Sequence, residues 1–176
     1  KVKAIVLSHC HLDHCGATPF LASRYNAPVI STPYTIEVLK AMMKDDNFQI
    51  PNHLRSVNPN STIQVSKNIK IEFINMTHST LQTSLIAVHT KYGIVLYAND
   101  FKLDNNPVLG KPYNARRLHE LGKERVAALI IDALYSAAPG KCPSENVARE
   151  MLKDVMLGAE NKGDAIIVTT FASNLA

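Results

Sequence analysis

Four side chains able to bind a metal ion fall within six residues of this chain, in Ser8-His9-Cys10-His11-Leu12-Asp13-His14, directly after the apolar run 3–7. A two-residue spacing points His9 and His11 the same way from extended backbone and sends Cys10 to the other side. Asp13 and His14 follow where the chain turns toward its next element. One cation cannot easily take all four neighbours in a tetrahedral shell, whereas two cations sharing the loop can. Burying such groups unpaired would be costly. The segment is therefore a candidate metal centre at the end of a strand.

Around it, strand and helix patterns alternate. Residues 3–7 read as a short apolar strand, 8–14 as a polar loop and 16–25 as a helix, with Pro19 tolerable in its first turn. Residues 28–31 read as a strand. Residues 34–44 read as a helix with Ile36, Leu39 and Met43 on one stripe. Residues 46–60, rich in Asn and Pro, read as loop. Short β-type runs follow at 61–65, 69–74, 84–90 and 93–98, the last two joined by a turn at Lys91-Tyr92-Gly93. Residues 101–114 read as a connector and 115–123 as a short helix. Residues 126–132 and 164–170 read as buried strands of the parallel-sheet kind. Between them a helix is expected to start at Pro143 and run to about residue 158. The whole is an α/β chain with layered sheets.

Two further ligand candidates end β-type runs: His78 after 71–76 and Asp100 after 94–98. A carboxylate such as Asp100 can bridge two metals. His53, His89 and His119 stand alone and read as ordinary surface or core residues. Cys10 and Cys15 read as small core residues despite flanking the site.

Composition sets bounds. A chain of 176 residues, 46% apolar and 19% charged, suits one domain, or one and part of a second, and excludes disorder. No apolar window approaches the ~20 residues of a membrane-spanning helix. The first apolar run is too short for a signal peptide. Three cysteines argue against a disulfide framework and fit a reducing, cytoplasmic setting. A net charge of +4 suits an anionic partner without demanding one. The chain opens on a strand without Met, as the middle of a longer protein would.

The motif His9-x-His11-x-Asp13-His14 resembles the signature of the metallo-β-lactamase superfamily, and His78 and Asp100 match its next two ligand motifs in order and spacing. More narrowly, four stretches resemble the RNase J family of the β-CASP branch. They are His78-Ser79, the Asn99 to Asp104 segment, the Asp132 to Glu145 segment, and Thr169-Thr170-Phe171-Ala172-Ser173-Asn174. The resemblance, closest to the archaeal type, implies a four-layered αβ/βα sandwich over residues 1–142, with 143–176 opening a β-CASP domain.

It also implies roles. His9, His11 and His78 would hold one Zn2+, and Asp13 and His14 a second, with Asp100 bridging; a late His outside this chain would complete the second site. Manganese or magnesium could replace zinc. Asp13 would also orient the attacking water and act as base. Asp132 would support a catalytic His of the insert. Ser79, Ser173 and Asn174 would contact RNA phosphates. The implied activity is hydrolysis of single-stranded RNA by a metal-activated hydroxide, 5′→3′ from a 5′-monophosphate end with some endonuclease action, in a homodimer. The chain departs from the family pattern in three places: Asn99 where Gly is usual, Thr80-Leu81-Gln82-Thr83, and Ala133-Leu134-Tyr135. Two other readings keep the fold: a small ester or thioester hydrolase, and a non-catalytic RNA-processing scaffold.

Overall fold

A computed structural model of the chain describes residues 1–158, 163, 165–172 and 174. Three short strands, β1 (Ile5–Val6), β2 (Val29–Ser31) and β3 (Leu54–Ser56), pair in parallel in that order. Parallel neighbours need crossovers. The first runs through two single-turn helices, α1 (Leu12–Cys15) and α2 (Thr18–Leu21). The second is α3 (Pro33–Asp45), with Pro in its first turn, where no backbone donor is lost. Its buried stripe of Ile36, Leu39 and Met43 is the one periodicity predicts, and Leu39 and Met43 pack on Leu7, Cys15, Ala22 and Val29.

The second sheet has five strands in sequence order: β4 (Ser61–Ser66), β5 (Ile69–Asn75), β6 (Ser84–Thr90), β7 (Gly93–Ala98) and β8 (Val126–Ile131). The first four form an antiparallel meander, and β8 joins β7 in parallel after α4 (Ala115–Gly122). Gly93 in the β6–β7 hairpin has φ +128°, and a Cβ there would stand 3.0 Å from the Arg125 carbonyl oxygen. Both the torsion and the tight approach of the chain entering β8 favour glycine here over any residue with a side chain.

The two sheets face each other. Ile30 of the first packs with Ile63, Ile71, Phe73 and Ile86 of the second. Phe73 is fully buried, which is worth ~1.5–3 kcal/mol. On the outer face of the second sheet, Ile74, Leu85, Ala87 and Ile94 pack against Leu121 of α4. The order α3, sheet, sheet, α4 is the αβ/βα layering expected from the resemblance. Among the described residues, no helix is long and apolar enough to cross a membrane.

Hydrogen bonds bring the two sheets together where the His motif begins. The Leu7 N–H donates to Ile30 O at 3.0 Å, and the Ser31 hydroxyl donates to Leu7 O at 2.7 Å. The Ser84 N–H of β6 donates to Ser8 O at 3.1 Å. His9 thus leaves a point fixed by both sheets.

Several elements differ from expectation. The segment 8–14 is not all loop, because the His11 carbonyl accepts from His14 and Cys15 N–H and opens α1. The helix expected over 16–25 is broken, with α2 starting beside Pro19 and a 3₁₀ turn at Ala22–Arg24. The loop 46–60 contains β3, too short and exposed to show a period and formed only by pairing with β2. β8 is parallel as expected, but all six of its residues are exposed rather than buried. The last helix, α5 (Glu145–Leu157), starts two residues after Pro143. Its first donors are satisfied from afar: Asp104 accepts from the Glu145 N–H at 2.7 Å and from the Ser144 hydroxyl at 2.8 Å. Residues 165–170, expected as a strand, pair with no strand, and Ile167 is 92% exposed. Asp164 and Ser173 lie outside the described residues.

Candidate metal centre

The ends of β1 and β5 and the loop after β7 deliver six side chains to one place. His9 Nε2 stands 3.1 Å from His11 Nδ1, and His78 Nε2 stands 3.0 Å from the same atom. Asp100 reaches this trio through Oδ2, 3.4 Å from His78 Nε2 and 3.9 Å from His9 Nε2. Its other oxygen faces the second set: Oδ1 is 3.5 Å from His14 Nε2, which is 3.3 Å from Asp13 Oδ2. Two groups of donors, His9, His11, His78 and Asp100, and Asp13, His14 and Asp100, therefore share one carboxylate, and within each group all donor atoms lie within 4.8 Å.

Local structure explains the arrangement. Extended backbone before α1 turns His9 and His11 to one side, while Cys10 points back to the Thr80 hydroxyl at 3.0 Å. The turn of α1 then lifts Asp13 and His14 to the rim. Asp13 is exposed, whereas His9 is fully buried.

The electrostatics favour neutral rings. Burial, reinforced by His14, His78 and His11, lowers the His9 pKa to about 2. Burial and His11 lower that of His78 to about 4, against the pull of Asp100. The Nε2 atoms of His9 and His78 thus converge on His11 Nδ1 beside a carboxylate, with the His9 and His78 rings uncharged. That is the donor chemistry of a divalent transition-metal site. His11 Nε2 is buried with no partner among the described residues, so its ring makes its one described polar approach through Nδ1, toward the cluster. Burial raises both neighbouring thiols, Cys15 to about 11, so neither competes as a thiolate. Cys142 is exposed.

The remaining candidates fall differently. The Ser79 hydroxyl donates to Asn174 Oδ1 at 3.2 Å, so two of the three residues assigned to phosphate contact meet beside His78. Asp132 follows β8 at the Asp100 end of the sheet, since its N–H donates to Ala98 O. Its carboxylate accepts from the Leu134 N–H at 2.9 Å and closes its own turn. Sequence reading passed over the surroundings of His9, where Ser8 Oγ and Asn99 Nδ2 each lie 3.0 Å from Nδ1. Ser8 is a sequence neighbour of His9, whereas Asn99 is 90 residues away, beyond the reach of any local pattern.

Residues 1–134 match the family model of the metallo-beta-lactamase superfamily. Over its whole length the chain is 46% identical to Ribonuclease J of Methanocaldococcus jannaschii and 45% identical to Ribonuclease J of Pyrococcus abyssi. It spans 40% of the length of each. The fold also superposes on a metallo-beta-lactamase from Cronobacter sakazakii with a TM-score of 0.52 at 13% identity, covering 91% of this chain and 66% of that one. With that family match, the layered sheets and the shared-carboxylate donor set, the chain belongs to the metallo-beta-lactamase superfamily.

Proposed function

We propose that this chain is the metal-binding part of a ribonuclease of RNase J type, acting on single-stranded RNA. One observation carries the reading. Two donor groups joined through Asp100 open beside Ser79 and Asn174, in a chain that aligns along its full length with proteins named Ribonuclease J.

His9, His11, His78 and Asp100 would hold one divalent ion and Asp13, His14 and Asp100 a second, with Zn2+ the first choice and Mn2+ or Mg2+ the alternatives. Such ions supply a water of lowered pKa and positive charge against a phosphodiester. The chain's own residues do the rest. Asp13, exposed at the rim, orients the attacking water and accepts its proton. The Ser79 hydroxyl and the Asn174 amide donate to phosphate oxygens. Asp132, at the same end of the sheet as Asp100, positions a group supplied by the rest of the protein. We place residues 1–142 in the lactamase-like domain and 143–176 at the start of a β-CASP domain. The active protein is a cytoplasmic homodimer that degrades RNA 5′→3′ from a 5′-monophosphate, with some internal cleavage.

The test uses a full-length protein carrying this chain, given 5′-monophosphate RNA labelled at its 3′ end, with Zn2+ or Mn2+. Progressive shortening from the 5′ end, absent in Asp13→Ala, is the expected result. Internal cuts alone would reassign the enzyme as an endonuclease. Intact RNA with metal bound would overturn the nuclease reading in favour of a small-molecule hydrolase or a scaffold.

A further inference from the structure

Asn99 follows β7, directly before Asp100, with only 3% of its surface exposed. Its Nδ2 lies 3.0 Å from His9 Nδ1, the ring nitrogen that faces away from the donor cluster. The opposite nitrogen, Nε2, faces His11 Nδ1 at 3.1 Å. A neutral imidazole carries one hydrogen. Without a cation, that hydrogen on Nε2 serves His11 Nδ1, and His9 Nδ1 accepts from the Asn99 amide. A cation on Nε2 needs the lone pair there and moves the hydrogen to Nδ1. The His9 Nδ1–H would then confront an amide NH2, donor against donor. Asn99 holds the remedy. Its Oδ1 is buried and has no partner among the described residues. Oxygen and nitrogen of an amide occupy nearly the same volume, so a half-turn of the amide exchanges them without repacking.

We infer that Asn99 is a positioning residue for His9 in both states of the site, donating through Nδ2 when it is empty and accepting through Oδ1 when Nε2 binds a cation. The inference rests on the metal-site reading above. It makes the amide specifically useful, because neither a pure donor nor an apolar side chain could follow the hydrogen from one ring nitrogen to the other. Ser8 Oγ, 3.0 Å from the same nitrogen, can also donate or accept, so removing Asn99 costs only part of the support.

The experiment measures Zn2+ affinity by chelator competition in a full-length protein carrying this chain, with Co2+ visible spectra as a second readout. Asn99→Leu should bind Zn2+ ~10-fold more weakly, in the range of lost outer-sphere partners, and shift the Co2+ bands. Asn99→Asp keeps an acceptor for Nδ1–H and should bind at least as tightly as the unaltered protein, with its Co2+ bands restored. Unchanged Zn2+ affinity in Asn99→Leu overturns the inference. So does weaker binding in Asn99→Asp, which decides the matter if the Leu variant does not fold. Failure of the unaltered protein to bind Zn2+ or Co2+ would show that the metal-site reading itself has failed, and the inference falls with it.

Discussion

Two buried polar clusters sit on the same five-stranded sheet, and they are built on opposite principles. Under α4, Glu72 accepts two bonds from the Arg117 guanidinium, at 2.5 and 3.0 Å, and a third from His89 at 2.7 Å. Arg117 spends its remaining nitrogen on Glu124 at 2.8 Å. Burial pushes the Glu72 carboxyl up, but the bonds from Arg117 and His89 outweigh it and leave the pKa lowered. Donors meet acceptors, and the bidentate geometry is the strong form of such a pair. At the ends of β5 and β7 the opposite holds. His9, His11 and His78 turn ring nitrogens toward one another, and Asp100 adds acceptors rather than donors. The first cluster is complete in itself. The second gathers donor atoms that could hold a metal ion, and that contrast separates structural polarity from a candidate binding site.

The largest effect expected from breaking the contrast is at Asp100, which belongs to both donor groups. Asp100→Ala should abolish binding of the second cation and lower RNA cleavage ~10³-fold or more, about 4 kcal/mol of barrier. The melting temperature of the chelated protein should hardly change. A variant that keeps two cations by elemental analysis would contradict the shared-carboxylate reading. Arg117→Met should do the reverse. It strands the Glu72 carboxylate and should cost ~3 kcal/mol in urea unfolding, with Zn2+ affinity unchanged.

Acid should separate the clusters by pH window. The folded pKa values of His9 and His78, about 2 and about 4, lie below the ordinary 6.5. Above pH 6.5 neither the folded nor the unfolded state protonates them, and their contribution is constant. Below 6.5 the unfolded chain takes up protons that the folded chain refuses, so stability falls as pH falls. The slope is up to ~1.4 kcal/mol per pH unit for each ring. Glu72 joins only below its ordinary 4.5, since its folded pKa is lower still. Denaturant melts of chelated protein should therefore weaken between pH 6.5 and 4.5 on account of the histidines. A flat profile there would show that they are not buried neutral. The smallest effect is expected at Ser79, where loss of one hydroxyl in Ser79→Ala should raise KM for RNA roughly fivefold, ~1 kcal/mol, and leave kcat nearly unchanged.

Legibility followed distance along the chain. His9, His11, Asp13 and His14 could be read as a unit because their spacing is local, and α3 because its stripe of Ile36, Leu39 and Met43 repeats within one helix. The four meander strands were legible from short β-type runs and turn residues. β3 was missed because three mostly exposed residues carry no period. The strand expected over 164–170 had the right composition, but its described residues, 165–170, pair with no strand. β8 kept its pairing and lost its expected burial for a related reason: apolar composition states what a strand can bury against, not what lies there.

By itself, then, the sequence determined the donor inventory and the alternation of elements that makes a layered α/β fold, since both depend on neighbours a few residues apart. Tertiary structure alone decided which oxygen of Asp100 faces which donor group, that Ser79 meets Asn174, that Asp104 caps a helix 41 residues later, and that Asn99 stands behind His9. Those contacts join residues distant in the chain. Hydrogen-bond and ligand geometry changes over tenths of an ångström, a scale that only the packed sheets, holding both partners at once, can set.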